Sequence, residues 1–163
     1  MTPPNGTFAA LTRLCHEAGA LVLIDGAHAP GHVPLDITAT GADYYTGNCH
    51  KWMMAPKGSA FLHVRPELQS MINPLVISHG WTNDNQNPAP FGNTPFVDSL
   101  EMQGTRDPSA WLTVTDAIKF GLEHNWKKVA DQCRVLVQDT ALRVAKMTGL
   151  PALSSPEFCA PQM

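Results

Sequence analysis

Hydrophobic positions along this chain switch between two periods. Phe8, Leu11, Leu14 and Cys15 recur at helical spacing with Gly19 just beyond them, which predicts a helix over Phe8–Ala18. Ala20 to Ile24 is instead a continuous apolar run closed by Asp25, the pattern of a strand covered by helices on both sheet faces. Ala42–Thr46 and Gly58–Val64 are further strand candidates, with Asp36–Thr40 a helical turn before Gly41. Asn73 to Pro95 is loop-like, and loops of that length in compact proteins usually carry function or move. Ser109 caps a predicted helix to about Glu123, with Trp111, Val114, Ile118 and Leu122 on one face. A last helical pattern, Trp126–Met147, carries Val129, Cys133, Leu136, Val137 and Leu142 as its stripe. Helix–strand–loop–strand–loop–strand is the order of an α/β sheet, not of a bundle or a sandwich.

Composition narrows the classes open to such a chain. At 163 residues with 44% hydrophobic and 15% charged content, it has material for a real core of ordinary domain size. A net charge of -3 without a basic cluster gives no reason to expect nucleic acid or an anionic membrane as partner. The apolar run Ala18–Ile24 is far shorter than the roughly 20 residues of a membrane span, and Met1–Asn5 has no signal-peptide character. Cys15, Cys49, Cys133 and Cys159 lack C-x-x-C spacing and read as reduced, mostly buried thiols, which suggests a cytoplasmic location. Pro30 and Gly31 break any helix that would align His28 with His32, so zinc is not expected. Three strands with one helix before them and two after do not close a doubly wound domain. The chain reads as a piece of a larger protein, without an upstream half and a downstream remainder.

The chemistry concentrates at two strand ends. Asp25 and Lys51 each follow an apolar run, and in an α/β sheet ligands gather outside the carboxyl ends of parallel strands. A lysine and a carboxylate converging on one cleft is what pyridoxal phosphate requires: an amine for the Schiff base and an acid to hold a proton on the ring nitrogen. A partly buried lysine site favours the neutral amine, and an acid ending a buried strand makes a stronger ion pair than one in water. His28 leaves the first strand in a turn and is placed to meet the ring hydroxyl, while Asn48 and His50 offer donors for phosphate.

Ile24-Asp25-Gly26-Ala27-His28-Ala29-Pro30-Gly31 together with Asn48-Cys49-His50-Lys51-Trp52 and Pro56-Lys57-Gly58 resembles the class V aminotransferase family of fold type I. Within that family the wording is most similar to the isopenicillin N epimerase-like branch, with cysteine desulfurases and kynureninases more distant. The resemblance implies a partial fold type I large domain, a mostly parallel sheet with flanking helices, followed by helices leading into an incomplete small domain. It places residues 1–122 in the cofactor-binding large domain and 123–163 in a bridging helix and the start of the small domain. It makes Lys51 the catalytic Schiff-base lysine and Asp25 the pyridinium partner. His28 then lies beside the ring hydroxyl and His50 on the phosphate side, where Asn48 stands in place of a frequent Ser. Gln103-Gly104-Thr105-Arg106-Asp107 resembles the segment whose Gly-Thr reaches the phosphate of the neighbouring subunit, which implies a homodimer and makes Thr105 cofactor-binding. The implied activity is on an amino-acid substrate at Cα, by epimerisation, transamination or elimination.

Other readings of the same residues stay open. Lys51 also fits a solvated strand-end lysine, Asp25 a turn cap, and His28 and His50 satisfied core histidines. Thr105 fits a plain turn residue, and Arg106 a structural or interface ion pair. Cys159 reads as a buried thiol in a strand, with a cysteine desulfurase or lyase as the rival enzyme. From a different class, the chain could be a non-catalytic remnant that cannot hold the cofactor tightly alone.

Overall fold

A computed structural model of the chain describes residues 5–82 and 90–151. They divide into two units: the described part of Met1–His63 with Ser109–Met163, and Val64–Pro108. Cys159 and its neighbours, and residues 83–89 of the long loop, lie outside the described residues.

The first unit opens with helix α1, Asn5–Glu17. It ends where expected: the amide of Gly19 bonds the His16 carbonyl at 2.9 Å and that of Ala20 the Cys15 carbonyl at 2.9 Å, a Schellman closure. Of the four positions predicted for its apolar face, only Phe8 turns inward. Phe8, Ala9 and Thr12 turn inward, while Leu11 and Leu14 are 52% and 56% exposed. The i, i+4 pair Phe8 and Thr12 sits over the core and Gly41, which puts the leucines on the far side.

Strand β1 is Leu23–Asp25 and pairs in parallel with β2, Tyr44–Asn48, so that Leu23 faces Tyr44, Ile24 faces Tyr45 and Asp25 faces Thr46. Between them lies helix α2, Ile37–Thr40, with Asp36 accepting from the Ala39 amide at its start and Gly41 at its end. Strand β3, Ala60–Val64, flanks β2. The Cys49 amide just past β2 bonds the Ser59 carbonyl just before β3, so β3 runs back antiparallel and the sheet is mixed. Ile24, Ala29, Ala42 and Tyr45 form the core on one face, packed by Phe8 and Ile37 from α1 and α2. The expectation that β1 is covered on both faces fails: Leu23 is 61% exposed, because α1 and α2 seat on the Ile24 side alone. Buried Asp43 ties this corner together, accepting from the Val22 amide at 2.7 Å and bonding His16 Nε2 at 2.8 Å.

The predicted Ser109–Glu123 helix is two, α4 (Ser109–Leu112) and α5 (Val114–Glu123). At the break, Thr113 keeps the helical bond from its amide to the Ser109 carbonyl and adds one from its hydroxyl to the same oxygen. Helix α6, Trp126–Thr148, buries Ala130 and half-buries Trp126, Val129, Cys133 and Val137, whereas Leu136 and Leu142 of the predicted stripe face outward. Among the described residues no helix is long and apolar enough to cross a membrane.

The second unit holds a 3-10 helix, Pro66–Met71, and helix α3, Pro95–Glu101, inside a stretch read partly as loop. Thr94 caps α3 by accepting from the Val97 amide, and Pro95 starts it, a Thr-Pro start signal present in the sequence but passed over. Fully buried Asp98 accepts from the Phe91 amide and from Asn93 Nδ2, at 2.7 and 2.8 Å. Exposed Thr105 lies just past α3, where Arg106 donates to the Glu101 carbonyl at 2.6 Å and so closes the helix end.

Candidate functional site

The end of β1 carries an acid held for use. Asp25 Oδ1 accepts from the Ala27 amide at 3.0 Å and from Thr46 Oγ1 at 3.5 Å, while the Gly26 amide bonds the Thr46 carbonyl and prolongs the parallel ladder by one step. A side chain at position 26 is impossible without repacking, since a Cβ there would lie 2.1 Å from the Tyr45 hydroxyl. The carboxylate itself is exposed, not sunk in the sheet as its place after an apolar run suggests, because β1 ends at Asp25. It faces a cavity of about 410 Å³ whose walls include Phe8, Tyr45, His28, Lys51 and Trp52. Burial, and next the Asp25 charge, pushes the Tyr45 phenol up from its ordinary value, so it stays a neutral wall.

The chain after Gly26 folds back sharply. The Ala29 amide bonds the Gly26 carbonyl and the His32 amide the Ala29 carbonyl. Gly31 adopts φ +75°, and a Cβ there would lie 2.6 Å from the Trp52 backbone. From α6, the Trp126 indole donates to the Gly31 carbonyl at 3.1 Å. Buried His32 stacks on the Trp52 ring with centroids 4.8 Å apart.

Beyond β2, a hairpin-like return presents half-buried Lys51. The Ala55 amide bonds the Cys49 carbonyl and the Met54 amide the Lys51 carbonyl, with Met54 at φ +62°. Lys51 Nζ lies 3.0 Å from His28 Nε2, and Trp52 Nε1 donates to His28 Nδ1 at 3.2 Å. Asp25, His28 and Lys51, three of the residues singled out in the sequence, therefore meet at one cavity. Asn48 and His50 are not among its lining residues. Half-buried Asn48 ends β2, and His50 Nδ1 donates to the Ser59 carbonyl at 2.9 Å. With Nδ1 so engaged, a neutral His50 offers only a lone pair at Nε2, and donation to an anion needs the imidazolium. Thr105 belongs to the other unit. Cys49 is buried, which pushes its thiol up and leaves it inert, whereas Cys15 is exposed and Cys133 half-buried. Trp52, named in the sequence only as part of the lysine motif, also lines this cavity, and sequence reasoning missed it. Its position beside Lys51 was the available signal.

Chemically, the cavity sets a carboxylate acceptor at one strand end against an amine at the next, with an imidazole touching the amine. A flat cationic or proton-bearing heterocycle that also presents a carbonyl carbon matches that pair.

Known proteins match most of the chain. The Aminotransferase class-V family model matches residues 6–159. The chain is 40% identical over 155 residues to an isopenicillin N epimerase from Amycolatopsis lactamdurans, covering 90% of this chain and 38% of that protein. It is 32% identical over 157 residues to an L-cysteine desulfhydrase from Arabidopsis thaliana, covering 91% of this chain and 31% of that one. Among solved structures, a cysteine desulfurase from Thermococcus onnurineus superposes with a TM-score of 0.74 at 20% identity, over 94% of this chain and 38% of the other. That likeness shows the fold, a partial fold type I α/β architecture. The chain thus spans less than two fifths of the length of these relatives.

Proposed function

The chain belongs to the class V aminotransferase family, and from that premise we propose that it contributes the lysine and acid of a pyridoxal phosphate site acting on an amino acid at Cα. The observation that carries this reading is that Asp25 and Lys51 line one cavity, with His28 within 3.0 Å of the lysine amine. The residues fit the group. Asp25 lines the cavity with its Oδ1 steadied by the Ala27 amide, and its carboxylate is able to hold a proton on a ring nitrogen. Lys51 supplies the amine for the carbonyl carbon, and His28 stands beside it for the ring hydroxyl.

When bound, pyridoxal phosphate supplies a conjugated ring that takes up the electron pair left as a bond at the substrate Cα breaks. With that group bound, Lys51 would act at the substrate Cα as the base that takes a proton and the acid that gives one back. Loss of a Cβ substituent after proton removal would be elimination, and proton delivery to the far face of Cα by a second acid would be epimerisation. Asp25 keeps its charge against the ring, and Phe8 and Tyr45 exclude water from one wall. Thr105 and Asn48 would serve the phosphate, Thr105 across a homodimer, with His50 on the same side. Residues 123–163 would comprise a bridging helix, α6, and the start of a small domain.

Mixing the chain with pyridoxal phosphate should give a yellow species that borohydride fixes on the Lys51 peptide, and Lys51→Ala should give no such adduct. Colour retained by Lys51→Ala, or label confined to other lysines, contradicts the assignment. The L-cysteine desulfhydrase relative favours a second reading, elimination from cysteine, checked by sulfide release. The residue named for desulfurase chemistry, Cys159, lies outside the described residues.

A further inference from the structure

Trp52 is assigned no part in the function above, yet it touches two histidines. Its indole N–H is a donor only, and it points at His28 Nδ1 from 3.2 Å. That contact needs a lone pair on Nδ1, which the Nε2–H tautomer of His28 supplies. The form it favours is neutral imidazole with its proton on Nε2, because the bond made by one ring nitrogen decides the state of the other. Nε2 faces Lys51 Nζ at 3.0 Å. An ammonium has three donors and no acceptor, so it would meet an N–H with an N–H. The free amine has a lone pair and accepts it.

We propose that Trp52 is a positioning residue that holds His28 as its Nε2–H tautomer, so that His28 donates to Lys51 and receives it as a free amine. Two further features support this role. His32, buried and stacked on the indole at 4.8 Å, presses the ring into its plane. Burial also lowers the proton affinity of His32, so the stacked partner is an uncharged slab. Trp52 and Lys51 are adjacent in the chain, so the residue that fixes the imidazole moves with the amine it serves.

The use of a free amine for imine formation rests on the function proposed above, whereas the tautomer does not. The test therefore uses the chain without cofactor. In histidine- and tryptophan-15N-labelled protein at neutral pH, His28, identified by loss of its signals in His28→Gln, should show an unprotonated Nδ1 and a protonated Nε2. A scalar coupling across the hydrogen bond should join Nδ1 to the Trp52 indole nitrogen. Trp52→Phe, which keeps a ring against His32, should lose that coupling. It should also slow reductive methylation of Lys51 relative to exposed Lys57 by about fivefold, the weight of one ordinary neutral hydrogen bond. A protonated Nδ1 or an absent coupling in the wild-type chain overturns the proposal whether or not the variant folds, as does an unchanged Lys51 to Lys57 ratio in a folded variant. Failure of the chain to bind pyridoxal phosphate would sink the functional reading and leave these signals in place.

Discussion

The Trp126 indole donates to the Gly31 carbonyl at 3.1 Å across 95 positions of sequence. This bond anchors the segment that carries His28 to the head of α6, and it is the means by which a late helix fixes the geometry of an early loop. Trp126→Phe removes the donor and part of the ring. It should cost about 1–2 kcal/mol in urea unfolding with an unchanged m-value, and speed hydrogen exchange at the His32 and Val33 amides. Unchanged exchange there would mean the loop is held without α6.

Gly31 is the tightest point of the same segment. Its φ of +75° and the 2.6 Å approach to the Trp52 backbone leave no room for a methyl group. Gly31→Ala should destabilise by about 2 kcal/mol or more and separate Lys51 from His28. Gly58→Ala is the control: φ there is +96° but no atom lies within 4 Å, so it should bear the backbone strain alone and lose less. Equal losses in denaturant midpoint would contradict the crowding argument.

His32 should make stability depend on pH. Burial is the main cause holding its proton affinity below the ordinary value of 6.5, partly offset by a hydrogen bond to the His28 backbone. The unfolded chain therefore binds this proton more readily than the folded one. The contribution is fully present above pH 6.5 and is lost as pH falls through that value toward the lower folded one. The wild-type denaturation midpoint should drop between about pH 7.5 and 5.5, and His32→Asn should flatten the slope. A midpoint difference between the two proteins that does not change with pH would contradict it.

Much of the unit around the site is legible in sequence because local signals agree there. Asp36 and Gly41 bracket α2, Gly19 closes α1, and the expected strands Ala20–Ile24 and Ala42–Thr46 overlap the observed Leu23–Asp25 and Tyr44–Asn48. Asp25, His28 and Lys51 could be read together because each follows a strand end, and the parallel register of β1 with β2 brings those ends side by side. What was not legible depends on which face meets a neighbour. Leu11 and Leu14 have the spacing of an inward face, yet Phe8 and Thr12 take that place because α2 packs there. The division between α4 and α5 falls at Thr113 although the apolar period runs through it, and its hydroxyl bonds the Ser109 carbonyl there. Trp52 and Trp126 act through partners 24 and 95 positions away, which no local pattern encodes.

Asp25 should matter to the cofactor more than to the fold, since its carboxylate is exposed and its own backbone bond belongs to a turn. Asp25→Asn should weaken pyridoxal phosphate binding by roughly tenfold to a hundredfold, the range of a charge-assisted hydrogen bond, while leaving the urea midpoint nearly unchanged. A large loss of stability with unaltered affinity would make Asp25 a turn cap.

The shared use of one ring by residues 25 and 51 is tested most directly with pyridoxal phosphate labelled with 15N in the pyridine ring, reduced onto the chain and mapped to its lysine. The account predicts attachment at Lys51 with a protonated ring nitrogen in the wild-type chain, and a shift to the unprotonated position in Asp25→Asn. A ring attached at Lys51 whose nitrogen is unprotonated, or is indifferent to Asp25, would contradict it.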